Sequence, residues 1–382
     1  MADAADVPSK ARAPARPLRD RLIGVFASRG FQRFAARVPG LRRIARAEGE
    51  AIFDLVAGFV HSQVLMALVE LDVLRKVQDR PQSVEALARS CGLAVDRMQV
   101  LIRAGASLHL LHLGRDGQVG LTLRGASVLS VPGLEAMILH HRAFYRDMAD
   151  PVALLQGGFK TELSQFWPYV FGAAGAVDPK VTAQYSSLMA DSQVLVAEDT
   201  LRMVDFSQFR RVLDIGGGTG AFLSALGAAC PQVGRMLFDL PVVLDGMRKT
   251  PLSGSVSTLI DSQVALHPGS FRDDPLPAGA DCITLNRVLY DHSDTTVAAL
   301  LAKVHGALPE GGSVVISEPM LGGSTPNRAT DAYFALYTLA MQTGRTRSGA
   351  EIGALLAAAG FRDVRILPGY RPFVTSVVTA RR

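Results

Sequence analysis

The chain contains little cysteine, and its cysteines show no grouping. Among its 382 residues there are three cysteines at wide spacings, Cys91, Cys230 and Cys282. Such scatter argues against a disulfide framework or a cysteine-based zinc site, and it fits a reducing cytoplasm. The first residues also lack the continuous apolar core and small-residue cleavage site of a secretory signal. The sequence therefore predicts a cytoplasmic protein without a bound metal.

A long uninterrupted apolar run is missing as well. The most apolar stretch, residues 51–74, contains Asp54, His61, Gln63, Glu70 and Asp72. A membrane-spanning helix would have to desolvate these groups, so the stretch predicts buried helices instead.

The charge is unevenly distributed. The chain has a formal net charge of +5, and its basic excess lies mostly in roughly the first 45 residues. Residues 1–20 are expected to form a flexible basic N-terminus. Because a basic segment can also lie on an anionic membrane, peripheral contact with the inner membrane surface stays open.

Residues 21–205 show a mostly helical pattern. Two short helices, over residues 83–92 and 94–111, precede a predicted hairpin around Asp116–Gly117, which is the order of a winged helix. The second helix is too apolar to face base edges, because it carries Met98, Leu101 and Ile102. We therefore expect dimerisation and substrate contact rather than nucleic-acid binding, and a DNA-binding regulator is the alternative outside enzymes.

Residues 206–382 show a different pattern, in which short apolar strands alternate with helices. Such strands indicate a parallel sheet that is covered on both faces. The last two predicted strands are joined by a short loop, so they must pair antiparallel. The predicted fold class is α/β, a seven-stranded Rossmann-like methyltransferase sheet with an antiparallel last strand.

A glycine-rich loop follows the first of these strands, in "LDIGGGTG". Its Gly216 and Gly218 allow a tight turn and close approach of a ligand to backbone N–H groups. Asp239 ends the next strand, where a carboxylate can bind ribose hydroxyls. The loop alone also fits a dinucleotide, but the antiparallel tail and the late position of the loop favour S-adenosylmethionine.

These stretches resemble the small-molecule O-methyltransferases related to plant caffeate and flavonoid enzymes and to hydroxyindole O-methyltransferases. The resemblance rests on four motifs: Asp214–Gly220, Phe238–Pro241, Leu308–Glu318 and Ala359–Phe361. It implies a homodimer that uses S-adenosylmethionine as methyl donor, with no metal. The residues that it implies for cofactor binding are Asp214, Gly216, Gly218, Asp239, Gly269, Ser270, Phe271, Asn286, Arg287, Tyr185 and Met189.

Two motifs depart from the family pattern. Tyr290 stands where the family has its catalytic His, and His292 stands where it has Trp. Gly269 stands where the family has an adenine-binding Asp. An imidazole has a reference pKa of about 6.5 and a tyrosine one of about 10, so we predict that His292 accepts the substrate proton, that Tyr290 positions the hydroxyl and that Glu318 assists.

These departures, together with residues 166–175 and 185–204, resemble a bacterial subfamily that methylates carotenoids. That subfamily implies transfer of a methyl group to the tertiary 1-hydroxyl of acyclic carotenoids such as hydroxyneurosporene and demethylspheroidene. A methyltransferase for another apolar substrate, such as a tetrapyrrole or an aromatic polyketide, is the alternative.

Overall fold

The computed structural model describes Ile23 and residues 28–35, 37–165, 192–249 and 264–382. The chain divides into two compact units between Ala67 and Leu68. The boundary falls inside a long helix, so each unit is described by itself.

Helices dominate the first part of the chain. They are α1 (Arg29–Ala35), α2 (Pro39–Glu70), α3 (Val73–Lys76), α4 (Val84–Cys91), α5 (Val95–Ser107), α6 (Leu123–Ser130), α7 (Leu134–Asp147), α8 (Pro151–Gln156), α9 (Glu162–Gln165) and α10 (residues 192–203). Local chemistry sets their ends. Ser83 caps α4 through Ala86 N, and Gly92 closes it with a φ of 67°, a conformation that glycine adopts without strain.

A small sheet confirms the predicted hairpin and adds a strand to it. Its strands are β1 (Gln82–Ser83), β2 (Leu111–Leu113) and β3 (Gln118–Leu121), in the order β1-β3-β2 and all antiparallel. The strand β1, which precedes α4, was missed because two residues carry no recognisable period.

The second part of the chain contains the large sheet. Its strands are β4 (Arg211–Ile215), β5 (Gly234–Asp239), β6 (Val264–Pro268), β7 (Cys282–Asn286), β8 (Ser313–Glu318), β11 (Arg362–Leu367) and β12 (Ser376–Arg381), while β9 (Met320–Leu321) and β10 (Arg347–Ser348) form a separate parallel pair. The helices are α11 (Ala221–Ala229), α12 (Pro241–Lys249), α13 (Asp294–Ala307), α14 (Ala335–Met341) and α15 (Gly349–Ala358).

Within the described residues, the large sheet has seven strands in the order β11-β12-β8-β7-β4-β5-β6. The strands β4 to β8 are parallel to one another, and β12 pairs antiparallel with both β8 and β11. The predicted fold class is thus confirmed. The strand β6 was not predicted, because its sequence VALHP carries a polar His and ends in Pro.

Two apolar clusters cover the two faces of this sheet. On one face, Leu300 and Leu301 of α13 and Ile352 of α15 pack with inward residues of β7 and β8. On the other face, Phe222 and Leu226 of α11 pack on Val212 and Val315. Strands buried on both faces explain the continuous apolar runs in the sequence.

The helix α2 differs from the expectation of a buried helix. An apolar face of six residues is exposed along its middle: Ile52, Phe53, Leu55, Val56, Phe59 and Val60. By length and composition alone, α2 could also cross a membrane. The sequence pattern shows that a face is apolar, but it does not show what covers it.

Candidate active site

The turn after β4 uses glycine where the backbone requires it. Gly216, Gly218 and Gly220 have φ values of 67°, 58° and 78°, a region that other L-residues rarely enter. Gly217 is needed for a different reason, because a Cβ there would lie 2.3 Å from Oδ2 of Asp214. The turn therefore brings bare backbone to the carboxyl edge of the sheet, directly before α11.

Asp214 lies under this turn and is fully buried. Its Oδ1 accepts hydrogen bonds from Thr284 Oγ1 (2.6 Å) and Asn286 Nδ2 (3.0 Å) of β7. Its Oδ2 has no hydrogen-bond partner among the described residues. Burial raises the pKa of this carboxyl to about 7. A buried acceptor without a partner is unusual in a folded protein and suits a cationic ligand group.

Asp239, the last residue of β5, lies beside the same turn. Its Oδ2 accepts from Gly218 N at 2.8 Å and its Oδ1 accepts from Leu240 N at 2.7 Å. Burial raises its pKa to about 6. Each carboxylate oxygen has a second lone pair, so both oxygens can also accept from ribose hydroxyls.

The next strand end carries the predicted segment Gly269–Phe271. A Cβ at position 269 would lie 2.7 Å from the Phe238 ring, so Phe238 occupies the space beside this glycine. The backbone N and Oγ of Ser270 bond to Asp274 and Asp273. Phe271 is partly buried and packs against the apolar cluster that contains Leu300 and Leu301. These three residues thus lie at the carboxyl end of β6, next to β5.

Asn286 ends β7, and Arg287 follows it. Asn286 is buried, and its amide orients Asp214 as described above. Arg287 has a φ of 55°, and its Nη1 donates to Ser192 Oγ at 3.1 Å. The structure thus brings Asp214, Asp239, Asn286 and Arg287 to one edge of the sheet. Tyr185 and Met189 lie outside the described residues.

Tyr290 lies in a short 3₁₀ turn, Leu289–Asp291, directly after β7. Its backbone N donates to Glu318 Oε2 at 2.8 Å. Glu318 is buried, and that burial raises its pKa to about 8. Burial also raises the pKa of the Tyr290 hydroxyl. Glu318 thus orients the turn through this hydrogen bond, and its assistance in proton transfer stays a prediction.

His292 is buried at the end of this turn, with 7% of its surface exposed. Its ring packs edge-on against Phe271, with centroids 5.2 Å apart, and Arg272 Nη2 lies 3.1 Å from its Nδ1. Burial, with the positive charges of Arg272 and Arg347, lowers the pKa of His292 to about 4. This environment makes it a weak proton acceptor, and its role as the base stays a prediction.

Three further residues near this edge, His140, His141 and Tyr333, were not singled out from the sequence, and Tyr337 was named there only as a candidate lining residue of an apolar groove. His140 and His141 of α7 bond to the hydroxyls of Tyr337 and Tyr333. Two adjacent His residues and two Tyr residues one helical turn apart were a visible signal, but no motif connected them. Across the described ranges, no three His, Cys, Asp or Glu side chains are grouped to hold a metal ion.

The donor set fits S-adenosylmethionine. The ligand is cationic at sulfur and at its amino group, and it carries a ribose. The site offers two carboxylates, one with an unpartnered oxygen, and a turn of accessible backbone. A mixed sheet with an antiparallel β12, a glycine turn after β4 and a carboxylate ending β5 define the S-adenosylmethionine-dependent methyltransferases of class I.

The chain belongs to the O-methyltransferase family. Residues 145–362 match the O-methyltransferase domain, and residues 53–127 match the O-methyltransferase dimerisation domain. It is 58% identical over 362 residues to demethylspheroidene O-methyltransferase of Cereibacter sphaeroides, covering 95% of this chain and 94% of the relative. It is 50% identical over 371 residues to demethylspheroidene O-methyltransferase of Rhodobacter capsulatus, covering 97% and 92%.

A solved structure agrees with this assignment. Human N-acetylserotonin methyltransferase in complex with S-adenosylmethionine superposes with a TM-score of 0.75 at 25% identity, over 88% of this chain and 97% of that one. The predicted family, fold and methyl donor are therefore confirmed. The alternative of a non-enzymatic regulator is wrong, because the chain belongs to an enzyme family.

Proposed function

We propose that this enzyme transfers a methyl group from S-adenosylmethionine to the tertiary 1-hydroxyl of an acyclic carotenoid such as demethylspheroidene. The observation that carries the proposal is the 58% identity, over 95% of the chain, to a demethylspheroidene O-methyltransferase. The second relative with the same name, at 50% identity, supports it.

The chemistry of such an acceptor fits the replacement of the family His by Tyr290. A tertiary alcohol has a far higher pKa than a phenol, so no side chain ionises it beforehand. The neutral oxygen attacks, and the proton leaves as the bond to carbon forms. Alignment of the two reactants supplies much of the rate. Burial of a polyene supplies affinity at about 25 cal/mol per Å2 without many polar contacts.

We further propose roles for the predicted site residues. Asp239 binds the ribose, and the turn with Asp214, Gly216 and Gly218 binds the amino-acid end of the methyl donor. The segment Gly269–Phe271 lies against the adenine. These assignments are supported by the shared sheet edge of β4 and β5, which pair in parallel there.

The remaining site assignments are also proposals. Asn286 orients Asp214, and Arg287 together with Tyr185 and Met189 completes the cofactor site. Tyr290 positions the acceptor hydroxyl, and Glu318 holds the turn that carries Tyr290.

We propose the same division of the chain into segments that the sequence predicts. It comprises a basic N-terminus (1–20), which lies outside the described residues, a winged-helix dimerisation and substrate domain (21–205) and a methyltransferase domain (206–382). The matched dimerisation domain supports a homodimer. We propose a cytoplasmic location with peripheral contact at the inner membrane surface, to which the basic N-terminus would contribute.

The test is product analysis with isotope-labelled S-adenosylmethionine. Purified enzyme is incubated with demethylspheroidene, with a carotenoid hydrocarbon that lacks the hydroxyl, with a tetrapyrrole and with an aromatic polyketide phenol. We expect label only in the methyl ether of the carotenoid alcohol. Label in the tetrapyrrole or the polyketide, with none in the carotenoid, would assign the alternative substrate class.

A further inference from the structure

Two His–Tyr pairs connect α7 to the segment that contains α14. His141 Nε2 lies 2.7 Å from the Tyr333 hydroxyl, and His140 Nε2 lies 2.9 Å from the Tyr337 hydroxyl. Tyr333 belongs to a π-helical turn, Arg328–Phe334, that runs directly into α14. The two Tyr rings are stacked, with centroids 5.8 Å apart. The two pairs are thus chemically alike and lie in the same cluster.

The direction of the hydrogen bond between His141 and Tyr333 follows from a second contact of His141. His141 Nδ1 lies 2.5 Å from the carbonyl oxygen of Met137. Because a carbonyl only accepts, Nδ1 must carry the ring hydrogen, and Nε2 is left as the acceptor for Tyr333. Burial lowers the pKa of His141, so the ring is neutral at physiological pH. Tyr333 therefore donates its hydroxyl hydrogen to a neutral, proton-accepting nitrogen.

Tyr333 lies near the residues that follow β7. Burial raises the pKa of the Tyr333 hydroxyl, and the nearby charge of Arg287 opposes that rise. Burial raises the pKa of Tyr290 as well, and Tyr333 adds to that rise. The helix α14 packs on the turn Leu289–Asp291, which carries Tyr290. The segment that contains Tyr333 thus leads directly into the helix that packs on the turn with Tyr290, the position at which the resemblance places the family's catalytic His.

Building on the proposed methyl transfer, we propose that Tyr333 is a catalytic residue that takes the proton of the acceptor hydroxyl and passes its own proton to His141 Nε2. The alcohol oxygen forms the bond to the methyl carbon, and the sulfur–carbon bond breaks with its electron pair moving to sulfur. The alcohol proton moves to the Tyr333 oxygen while the Tyr333 proton moves to His141, which becomes imidazolium. His141 then returns the proton to solvent.

This transfer explains how a chain without the family His can dispose of the proton. Tyrosine alone is a poor base, since its reference pKa is about 10. A tyrosine that loses its own proton as it gains another needs no ionised intermediate. The alcohol proton becomes strongly acidic only as the oxygen binds carbon, so a neutral imidazole is basic enough.

The test is single-turnover methyl transfer at saturating S-adenosylmethionine in four variants: His141→Gln, Tyr333→Phe, the matched control His140→Gln, and His292→Ala. Glutamine keeps an oxygen that accepts from Tyr333 but takes no proton, so a merely structural role of His141 would survive. We expect His141→Gln and Tyr333→Phe each to slow transfer by ~100-fold or more, and their combination to slow it little further. His140→Gln should stay within about threefold of wild type.

Two further measurements separate a loss of proton transfer from a loss of cofactor binding. Calorimetric titration should show unchanged affinity for S-adenosylmethionine in all variants, and the solvent deuterium isotope effect of wild type should fall in His141→Gln. Near-normal rates in His141→Gln and Tyr333→Phe would overturn the proposal, and so would a large loss confined to His292→Ala. If wild type methylates a different acceptor, the proposed substrate fails, and the same variants test the proton transfer with that acceptor.

Discussion

Asp239 shows how one carboxylate can serve both the fold and the ligand. Both of its oxygens accept backbone N–H groups, one of them from the glycine turn. We predict that Asp239→Asn weakens binding of S-adenosylmethionine by ~100-fold. Hydrogen bonds to a charged group contribute about 1.5–3 kcal/mol each, and the amide keeps one acceptor. Isothermal titration calorimetry of the folded variant measures the loss.

Asp281 provides the matched control for this change. It also accepts from backbone N–H groups, those of Arg210 and Arg211, but it does so at the opposite, amino end of the strands. Asp281→Asn should leave the affinity for S-adenosylmethionine within about twofold of wild type. Equal losses in both variants would indicate a general loss of sheet stability rather than a ribose contact.

Glu318 should make stability depend on pH. Burial raises its pKa from 4.5 to about 8, so the folded state retains a proton that the unfolded state has lost between these values. Stability from this group is complete below pH 4.5 and is lost as the pH rises through 8. We predict that the free energy of unfolding falls more between pH 6 and 9 in wild type than in Glu318→Gln. Urea unfolding across this range tests it, and parallel curves would contradict it.

At the scale of the element, Arg347 stabilises the turn Leu289–Asp291 that follows β7. This arginine is 1% exposed. It donates through Nη1 to Leu289 O, through Nη2 to His292 O and through Nε to Asp294 Oδ1, each at 2.8 Å. We predict that Arg347→Met lowers the free energy of unfolding by about 3 kcal/mol, because buried acceptors lose a charged donor. Urea denaturation measures this loss.

Arg345 offers the control within the same element. It bonds to the same Asp294 and to Glu351, but its side chain is 45% exposed. Since exposed ion pairs contribute little, Arg345→Met should cost less than about 1 kcal/mol. A loss as large as that of Arg347→Met would show that Asp294, rather than the two carbonyl groups, determines the stability of the turn.

At the scale of the whole molecule, the exposed face of α2 predicts association. Phe53, Val56, Phe59 and Val60 are each at least 45% exposed, and their spacing places them on one side of the helix. An apolar face of this kind on a family dimerisation segment marks a protein interface. We predict a homodimer in solution and a monomer in the variant Phe59→Lys, as measured by light scattering at micromolar concentration.

The control replaces an equally apolar, exposed residue elsewhere. Ile366 of β11 is 51% exposed on a strand at the sheet edge, where a lysine is tolerated. Ile366→Lys should remain a dimer. A wild-type monomer, or a dimer that survives Phe59→Lys, would remove α2 as the interface and leave its apolar face to another partner such as a membrane.

Much of the fold was predictable because its signals are local. Strands β4, β5, β7 and β8 are continuous apolar runs, and the short link between β11 and β12 excludes a helical crossover. The strands β1 and β6 escaped prediction because one is too short and the other too polar to show a period. Burial was predicted correctly for Met66, Leu68 and Val69 at the end of α2 but wrongly for its middle, since an apolar pattern does not reveal what covers it.

The sequence by itself determined the family, the glycine turn and the carboxylate of Asp239, because these depend on residue type and spacing along one strand and the next. Only the tertiary structure placed Arg272 and Phe271 around His292, and His141 against Tyr333. These partners belong to different elements, 20 residues apart in the case of Arg272 and His292 and 192 residues apart in the case of His141 and Tyr333. The protonation of a side chain depends on burial and neighbouring charge, and both arise only when distant segments pack together.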